Sequence, residues 1–89
     1  MKIVFTSHAK DKLKSKDIKG LRINKKILIE VIHKPIAVNL NLNPHRSVGR
    51  LTEELSIAVI WKKENDIITV ITFYPAEKGR YENKILRRR

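Results

Sequence analysis

His8 is the residue whose type and position point most directly to chemistry in this chain of 89 residues. Lys12 and Lys16 follow it at intervals of four, so on one helix the three side chains would form a basic row. An imidazole exchanges a proton near neutral pH, and ammonium groups attract phosphate. His8 is therefore a candidate general acid or base. The alternative is that its ring packs on a strand and bonds the backbone.

A second group of candidates lies in the C-terminal half of the chain. Arg46 and Arg50 are four residues apart, which puts them on one face of a regular strand. Together with Tyr74 and His8 they suit metal-free cleavage of RNA, which needs a base for the ribose 2′-hydroxyl, a cation for the phosphorane and an acid for the leaving oxygen. We predict His8, Arg50 and Tyr74 as catalytic. The predicted RNA-binding residues are basic or aromatic: Lys12, Lys16, Arg46, Lys78, Arg80 and Tyr81.

The charge of the chain supports a polyanionic partner. There are 20 Lys and Arg residues against 9 Asp and Glu, a formal net charge of +11. Neutralising phosphates releases counterions and drives binding whatever the base sequence. RNA is therefore the first expected partner. A solvated, salt-bridged surface of a heat-adapted protein would have a similar composition.

The sequence lacks the patterns of metal and cofactor sites. His8, His33 and His45 are too scattered to form a ligand pair, and no glycine-rich loop could hold a nucleotide. Cysteine is absent, which fits a reducing compartment. No apolar run approaches the ~20 residues that span a bilayer, and the first residues lack the apolar segment of a secretory signal. We expect no metal, no cofactor and no membrane contact, and a cytoplasmic location.

Residue patterns predict a strand at 3–5, a helix from His8 to Lys16, a connection from Asp17 to Ile23 and a second helix capped by Asn24 and stopped by Pro35. After Pro35 the period changes to two. The alternation predicts a strand at 36–42 whose packed face is Ile36, Val38, Leu40 and Leu42.

Three further strands are predicted at 46–51, 56–62 and 67–74. Gly49 indicates a bulge or a close backbone approach in the first of them, and Pro75 is expected to end the sheet. The prediction is one α+β domain over 1–75, of order β-α-α-β-β-β-β, with two N-terminal helices on one face of an antiparallel sheet. Residues 76–89 form a basic tail.

The opening pattern resembles that of the DUF4258 family of small bacterial and archaeal proteins. The matching residues are Phe5-Thr6-Ser7-His8-Ala9, then Lys12, Leu13, Lys16 and Ile18. The later pieces agree in order: a helix over 27–33 closed by Pro35, a strand carrying Arg50, and a last strand over 68–75. Lys12 and Lys16 stand where the family prefers Arg, which keeps the charge but loses the bidentate fork for phosphate.

The resemblance implies a RelE-like (barnase/EndoU/colicin/RelE) toxin fold and a metal-independent ribonuclease. It carries His8 over directly, and it implies RNA as the substrate, such as ribosome-associated mRNA, and an acidic antitoxin as a protein partner. Two other functions stay open on the residues alone. One is a nucleic-acid-binding module without catalysis, and the other is a protein-binding domain that uses the same basic surface.

Overall fold

This computed structural model describes residues 2–41 and 43–77. They form five strands and three helices, joined by turns and short loops. The α+β class is confirmed. The strands are β1 Lys2–Phe5, β2 Ala37–Asn39, β3 His45–Arg50, β4 Leu55–Glu64 and β5 Ile67–Glu77. The helices are α1 Ser7–Leu13, α2 Lys16–Gly20 and α3 Lys25–His33. None of these helices is long and apolar enough to cross a membrane.

The strands form one sheet in the order β1-β5-β4-β3-β2. Neighbours from β2 to β5 pair antiparallel, but β1 pairs parallel with β5, from Lys2 opposite Ile67 to Phe5 opposite Val70. The prediction of a purely antiparallel sheet was therefore wrong, and the sheet is mixed. The helical segment after β1 leads the chain away from this strand, and β1 pairs with β5 rather than with β2, the next strand along the chain.

Each helix begins at a residue whose side chain accepts a hydrogen bond from the first turn. Thr6 accepts from the Ala9 N–H. Asn24 accepts from the Ile27 N–H, and this is the cap that the sequence predicted. Ser15 does the same for Ile18, and it starts α2 inside the segment that was predicted to continue the first helix and then form a connection. Residues 2–41 and 43–77 thus contain three helices where two were predicted.

The helices cover one face of the sheet, which we call the near face. The core on this face consists of inward-facing residues of β4 and β5 and apolar side chains of the helices: Ala9, Ile18, Leu28, Val31, Ile57, Val59, Trp61, Val70 and Phe73. Val70 and Phe73 are three apart and both face the core because Ile71 has no partner in β4, where the register shifts. The opposite face, which we call the far face, has a smaller cluster of Ala37, Val48 and Ala58 with Tyr74 packed against it.

Gly49 marks a close approach between a strand and a helix. The pairing of β3 with β4 is continuous through this residue, so β3 has no bulge. A Cβ atom at Gly49 would lie 2.7 Å from Cγ2 of Val31 on α3. The sequence left two readings of Gly49 open, and the structure selects the close backbone approach.

The predicted orientation of β2 was wrong. Ala37 is buried on the far face, whereas Ile36, Val38 and Leu40 are 46%, 40% and 57% exposed. The strand is also shorter than predicted, at Ala37–Asn39. It lies at the end of the sheet, and helix α3 contacts β3 and β4. An alternating pattern shows that two faces differ, but it does not show which face a helix covers.

Pro75 does not end the sheet. It pairs with Ile57, and β5 continues to Glu77 opposite Leu55. Strand β1 reaches only to Val70, so Pro75 lies where β5 is no longer paired with β1. Proline is tolerated on an edge strand because its missing N–H need not serve a second ladder.

Candidate functional site

Helix α1 lies along the edge of β5, directly after β1 stops. The Thr6 N–H donates to the Val70 carbonyl at 3.1 Å, and the Thr6 hydroxyl donates to the Ile71 carbonyl at 2.9 Å. The chain thus turns from strand into helix while it remains bonded to β5. The polar side chains on this side of α1 are consequently placed against residues 71–74 of the last strand.

His8 is exposed at this edge. Its Nε2 atom lies 3.2 Å from the hydroxyl oxygen of Thr72, and the tautomer of the ring decides which of the two groups donates. A threonine that holds one imidazole nitrogen fixes the orientation of the ring. His8 is therefore accessible and oriented, and its ring nitrogen bonds a side chain of β5, whereas the alternative required a bond to the backbone.

Lys12 follows His8 by one helical turn and contacts the same strand. Its ammonium donates a hydrogen bond to the Phe73 carbonyl and lies 5.2 Å from the ring centroid of Phe73 and 5.2 Å from that of Tyr74. Partial burial lowers the pKa of Lys12 because it removes water from the ammonium. Lys12 is thus fixed beside Tyr74 instead of extending into solvent.

The geometry of a helix and a strand explains why these contacts come in pairs. Four residues of α-helix advance by about 6 Å, and two residues of strand advance by about 6.6 Å. His8 and Lys12 on α1 can therefore match Thr72 and Tyr74 on β5. We call these four residues the rim, because they lie where α1 meets the edge of the sheet.

The two predicted arginines share one face of β3, as their spacing predicted, and this is the far face. Arg46 on β3 pairs with Ile60 on β4, and Ile60 pairs with Thr72 on β5. Arg46 and Thr72 therefore lie in the same row of the sheet, and two strand spacings put their backbones about 9.5 Å apart. Arg50 is in the row of Ser56 and Ala76, four residues further along β5. The structure thus places Arg46 nearer to His8 than Arg50, which was the predicted catalytic arginine.

The remaining predicted RNA-binding residues do not join the rim. Helix α1 ends at Leu13, and Lys16 is exposed in α2, so the basic row of one continuous helix is interrupted. The prediction that Lys16 extends the row of His8 and Lys12 was wrong, because Ser15 starts a new helix. Lys78, Arg80 and Tyr81 lie outside the described residues.

Trp61 belongs to the core of the near face. It is buried, and its indole N–H donates to the hydroxyl of Ser47 at 2.8 Å. The ring of His45 is 4.8 Å from that of Trp61, on the near face. His33 is exposed at the end of α3. Within residues 2–41 and 43–77, no three His, Asp or Glu side chains come together in a group that could hold a metal ion.

Thr72 is the residue of the rim that the site prediction lacked. Its alternation with Tyr74 in the last strand was visible in the sequence. Its contact with His8 spans 64 positions and depends on the parallel pairing of β1 with β5. No local pattern indicates that pairing.

Comparison of the chain with protein-family models, with curated proteins and with solved structures finds no match. The resemblance to DUF4258 and to RelE-like toxins therefore stays a prediction that rests on the motifs themselves.

Proposed function

We propose that this protein is a metal-independent endoribonuclease whose active site is the rim. The observation that carries the proposal is the exposed imidazole of His8, which Thr72 holds at the edge of the sheet. Lys12 lies one helical turn after His8 and contacts Tyr74, two residues after Thr72 on β5. Transesterification of RNA requires a base, a cation and an acid. The rim offers an imidazole, an ammonium and a phenol for these roles.

The proposed reaction begins at the ribose. His8 takes the proton of the 2′-hydroxyl, and the 2′-oxygen forms a bond to phosphorus. The bond from phosphorus to the 5′-oxygen breaks, and this oxygen leaves with a proton from Tyr74. The products are a 2′,3′-cyclic phosphate and a 5′-hydroxyl. The ammonium of Lys12, one helical turn from His8 and 5.2 Å from the ring centroid of Tyr74, stabilises the negative charge of the phosphorane.

Positive charge on the far face would bind the phosphates of the RNA beyond the cleavage site. Arg46 lies about 9.5 Å from Thr72 by strand spacing, and Arg50 lies further along the same face. A phosphodiester chain that crosses the sheet from the rim would pass these arginines, and the net charge of +11 favours its approach. The proposed substrate is single-stranded RNA such as mRNA, which places the activity in the cytoplasm; the absence of cysteine fits that compartment.

The test compares two exposed histidines. Purified wild-type protein, His8→Ala and His33→Ala are incubated with single-stranded RNA in the presence of a chelator. Loss of a general acid or base costs about 10²–10⁴ in rate, so His8→Ala should be slower by that factor. His33 lies at the end of α3, and His33→Ala should cleave like the wild type. Equal rates for His8→Ala and wild type refute the assignment.

A second candidate is a module that binds RNA without cleaving it. The observation that favours it is the hydrogen bond from Lys12 to the Phe73 carbonyl, which engages the ammonium of the rim within the protein. This candidate predicts salt-sensitive binding without product. The logarithm of the binding constant should fall with the logarithm of the salt concentration with a slope of about −3.5 for five phosphate contacts on single-stranded RNA. No cleavage together with a flat salt response would point instead to a protein partner, such as the acidic antitoxin that the resemblance implies.

A further inference from the structure

A pocket between the three helices is separate from the rim. It has a volume of ≈ 580 Å³ and is lined by residues of the helices and of the segments that join them: Lys10, Leu13, Lys14, Lys19, Ile23, Asn24 and Lys25. Sites for small ligands commonly have volumes of about 300–1,000 Å³. The pocket is therefore large enough for a small molecule.

Helical geometry sets this pocket apart from the proposed active site. Lys10 and Lys14 each follow a rim residue by two positions, and two residues of α-helix turn by about 200°. The rim residues His8 and Lys12 contact β5, so Lys10 and Lys14 project on the other side of α1. The two basic rows of α1 thus serve different surfaces, and the pocket is not part of the far face.

The lining has one sign of charge. Four of the described lining residues are lysines, and none of the described ones is acidic. The structure records no ion pair for Lys10, Lys14 or Lys19 with any residue in 2–41 or 43–77. Lys25 lies 5.4 Å from the ring centroid of Phe5, a contact that leaves its charge in place. Four like charges around one concavity attract an anionic group.

The floor of the pocket is apolar. Ile23 is buried and Leu13 is partly buried, both in the main core, and the lysine stems add methylene groups to the walls. None of the described lining residues is aromatic, so nucleobases would find no stacking surface here. The lining fits a saturated hydrocarbon body better than a polynucleotide.

We propose that this pocket binds a small amphipathic anion, with a carboxylate or phosphate head at Lys10, Lys14 and Lys19 and a short hydrocarbon body on Leu13 and Ile23. The proposal is independent of ribonuclease activity at the rim. The anionic head group could belong to a free amphiphile or to a membrane lipid. The apolar floor of the pocket lies between the helices, which suits the free molecule better.

Ligands that separate the head from the body test the proposal on the wild-type protein. Monomeric decanoate and decyl phosphate should bind at one site and shift the backbone amide signals of Leu13 and Ile23 in NMR spectra. Acetate, which has the head alone, and decyl maltoside, which has an uncharged head, should bind at least about tenfold more weakly, because charge attraction and apolar burial each contribute. Equal binding of decyl maltoside and decanoate overturns the proposal. So does binding to phosphatidylglycerol vesicles without binding of the monomers.

Charge reversal locates the site. The double variant Lys14→Glu, Lys19→Glu should weaken decanoate binding by at least about tenfold, because two attractions become repulsions. The control Lys2→Glu, Lys63→Glu makes the same change in net charge at exposed strand residues and should bind within about twofold of wild type. Dispersed NMR spectra establish that both variants are folded. If the two double variants lose affinity equally, the anion binds through the general charge of the protein and the pocket is not the site.

Discussion

Gly49→Ala tests the contact that fixes α3 on the sheet. The new Cβ would lie 2.7 Å from Cγ2 and 3.3 Å from Cγ1 of Val31. Carbon atoms pack best at roughly 3.5–4.0 Å, so the helix or the strand must move by about 1 Å. Valine is β-branched and cannot rotate both methyl groups away. Overpacking of this kind costs about 1–3 kcal/mol of unfolding free energy.

The assay is urea and thermal denaturation of the wild type and four variants: Gly49→Ala, Gly20→Ala, Val31→Ala and the double variant Val31→Ala, Gly49→Ala. A loss of about 2 kcal/mol would lower Tm by roughly 8–16 °C in a domain of this size. Gly20→Ala is the matched control, because a Cβ there meets nothing within 4 Å and alanine is the better helix residue. In a Val31→Ala background, which lacks the clashing methyl groups, Gly49→Ala should cost less than about 0.5 kcal/mol. If Gly49→Ala and Gly20→Ala are equally stable, or if Val31→Ala gives no relief, the steric reasoning is wrong.

Three further predictions concern stability. Ser47→Ala should cost about 1–3 kcal/mol in urea denaturation, because the buried indole N–H of Trp61 loses its acceptor; an unchanged midpoint would contradict this. Thr6→Ala should cost about 1–2 kcal/mol through loss of the cap on the Ala9 N–H, and Thr6→Ser should keep most of it; equal losses in the two variants would argue against capping. Burial holds the pKa of Lys12 below its ordinary value, so the unfolded chain binds more protons between the two pKa values. The free energy of unfolding should therefore rise with pH across that window, and denaturation of Lys12→Met over the same pH series should lack this contribution; an identical slope in both proteins would exclude it.

The elements that the sequence predicted best are those whose signals are local. Helix α3 has its cap at Asn24, an apolar face that includes Leu28 and Val31, and a proline two residues after its end. Strands β4 and β5 are apolar runs on either side of a short turn at Asn65 and Asp66. Each of these features depends on residues within a few positions of one another.

The elements that were missed depend on distant parts of the chain. The side of β2 that is packed depends on how far α3 reaches across the sheet, so Val38 is exposed although it alternates with a buried alanine. The parallel partner of β1 is the last strand. A short helix such as α2 begins with a single serine cap, which is too weak a signal to separate it from a loop.

The same distinction applies to the site. His8, Lys12 and Tyr74 became candidates because of the chemistry of their side chains. Side chains of a strand alternate between its two faces, so Arg46 and Arg50 were predicted on one face, and they lie there. Which of these groups meet could not be predicted, because it depends on the order of strands in the sheet. The structure groups His8 and Lys12 with the last strand and leaves both arginines two strands away.

Cleavage of a DNA oligonucleotide that contains a single ribonucleotide tests the central proposal most directly. In the presence of a chelator, the wild-type protein should cut only after that ribonucleotide and leave a 2′,3′-cyclic phosphate, which mass spectrometry identifies. His8→Ala should cut the same oligonucleotide about 10²–10⁴ times more slowly. Cutting at deoxynucleotides, or a His8→Ala protein that yields the cyclic phosphate at the wild-type rate, would contradict the proposal that His8 moves the proton of a ribose hydroxyl.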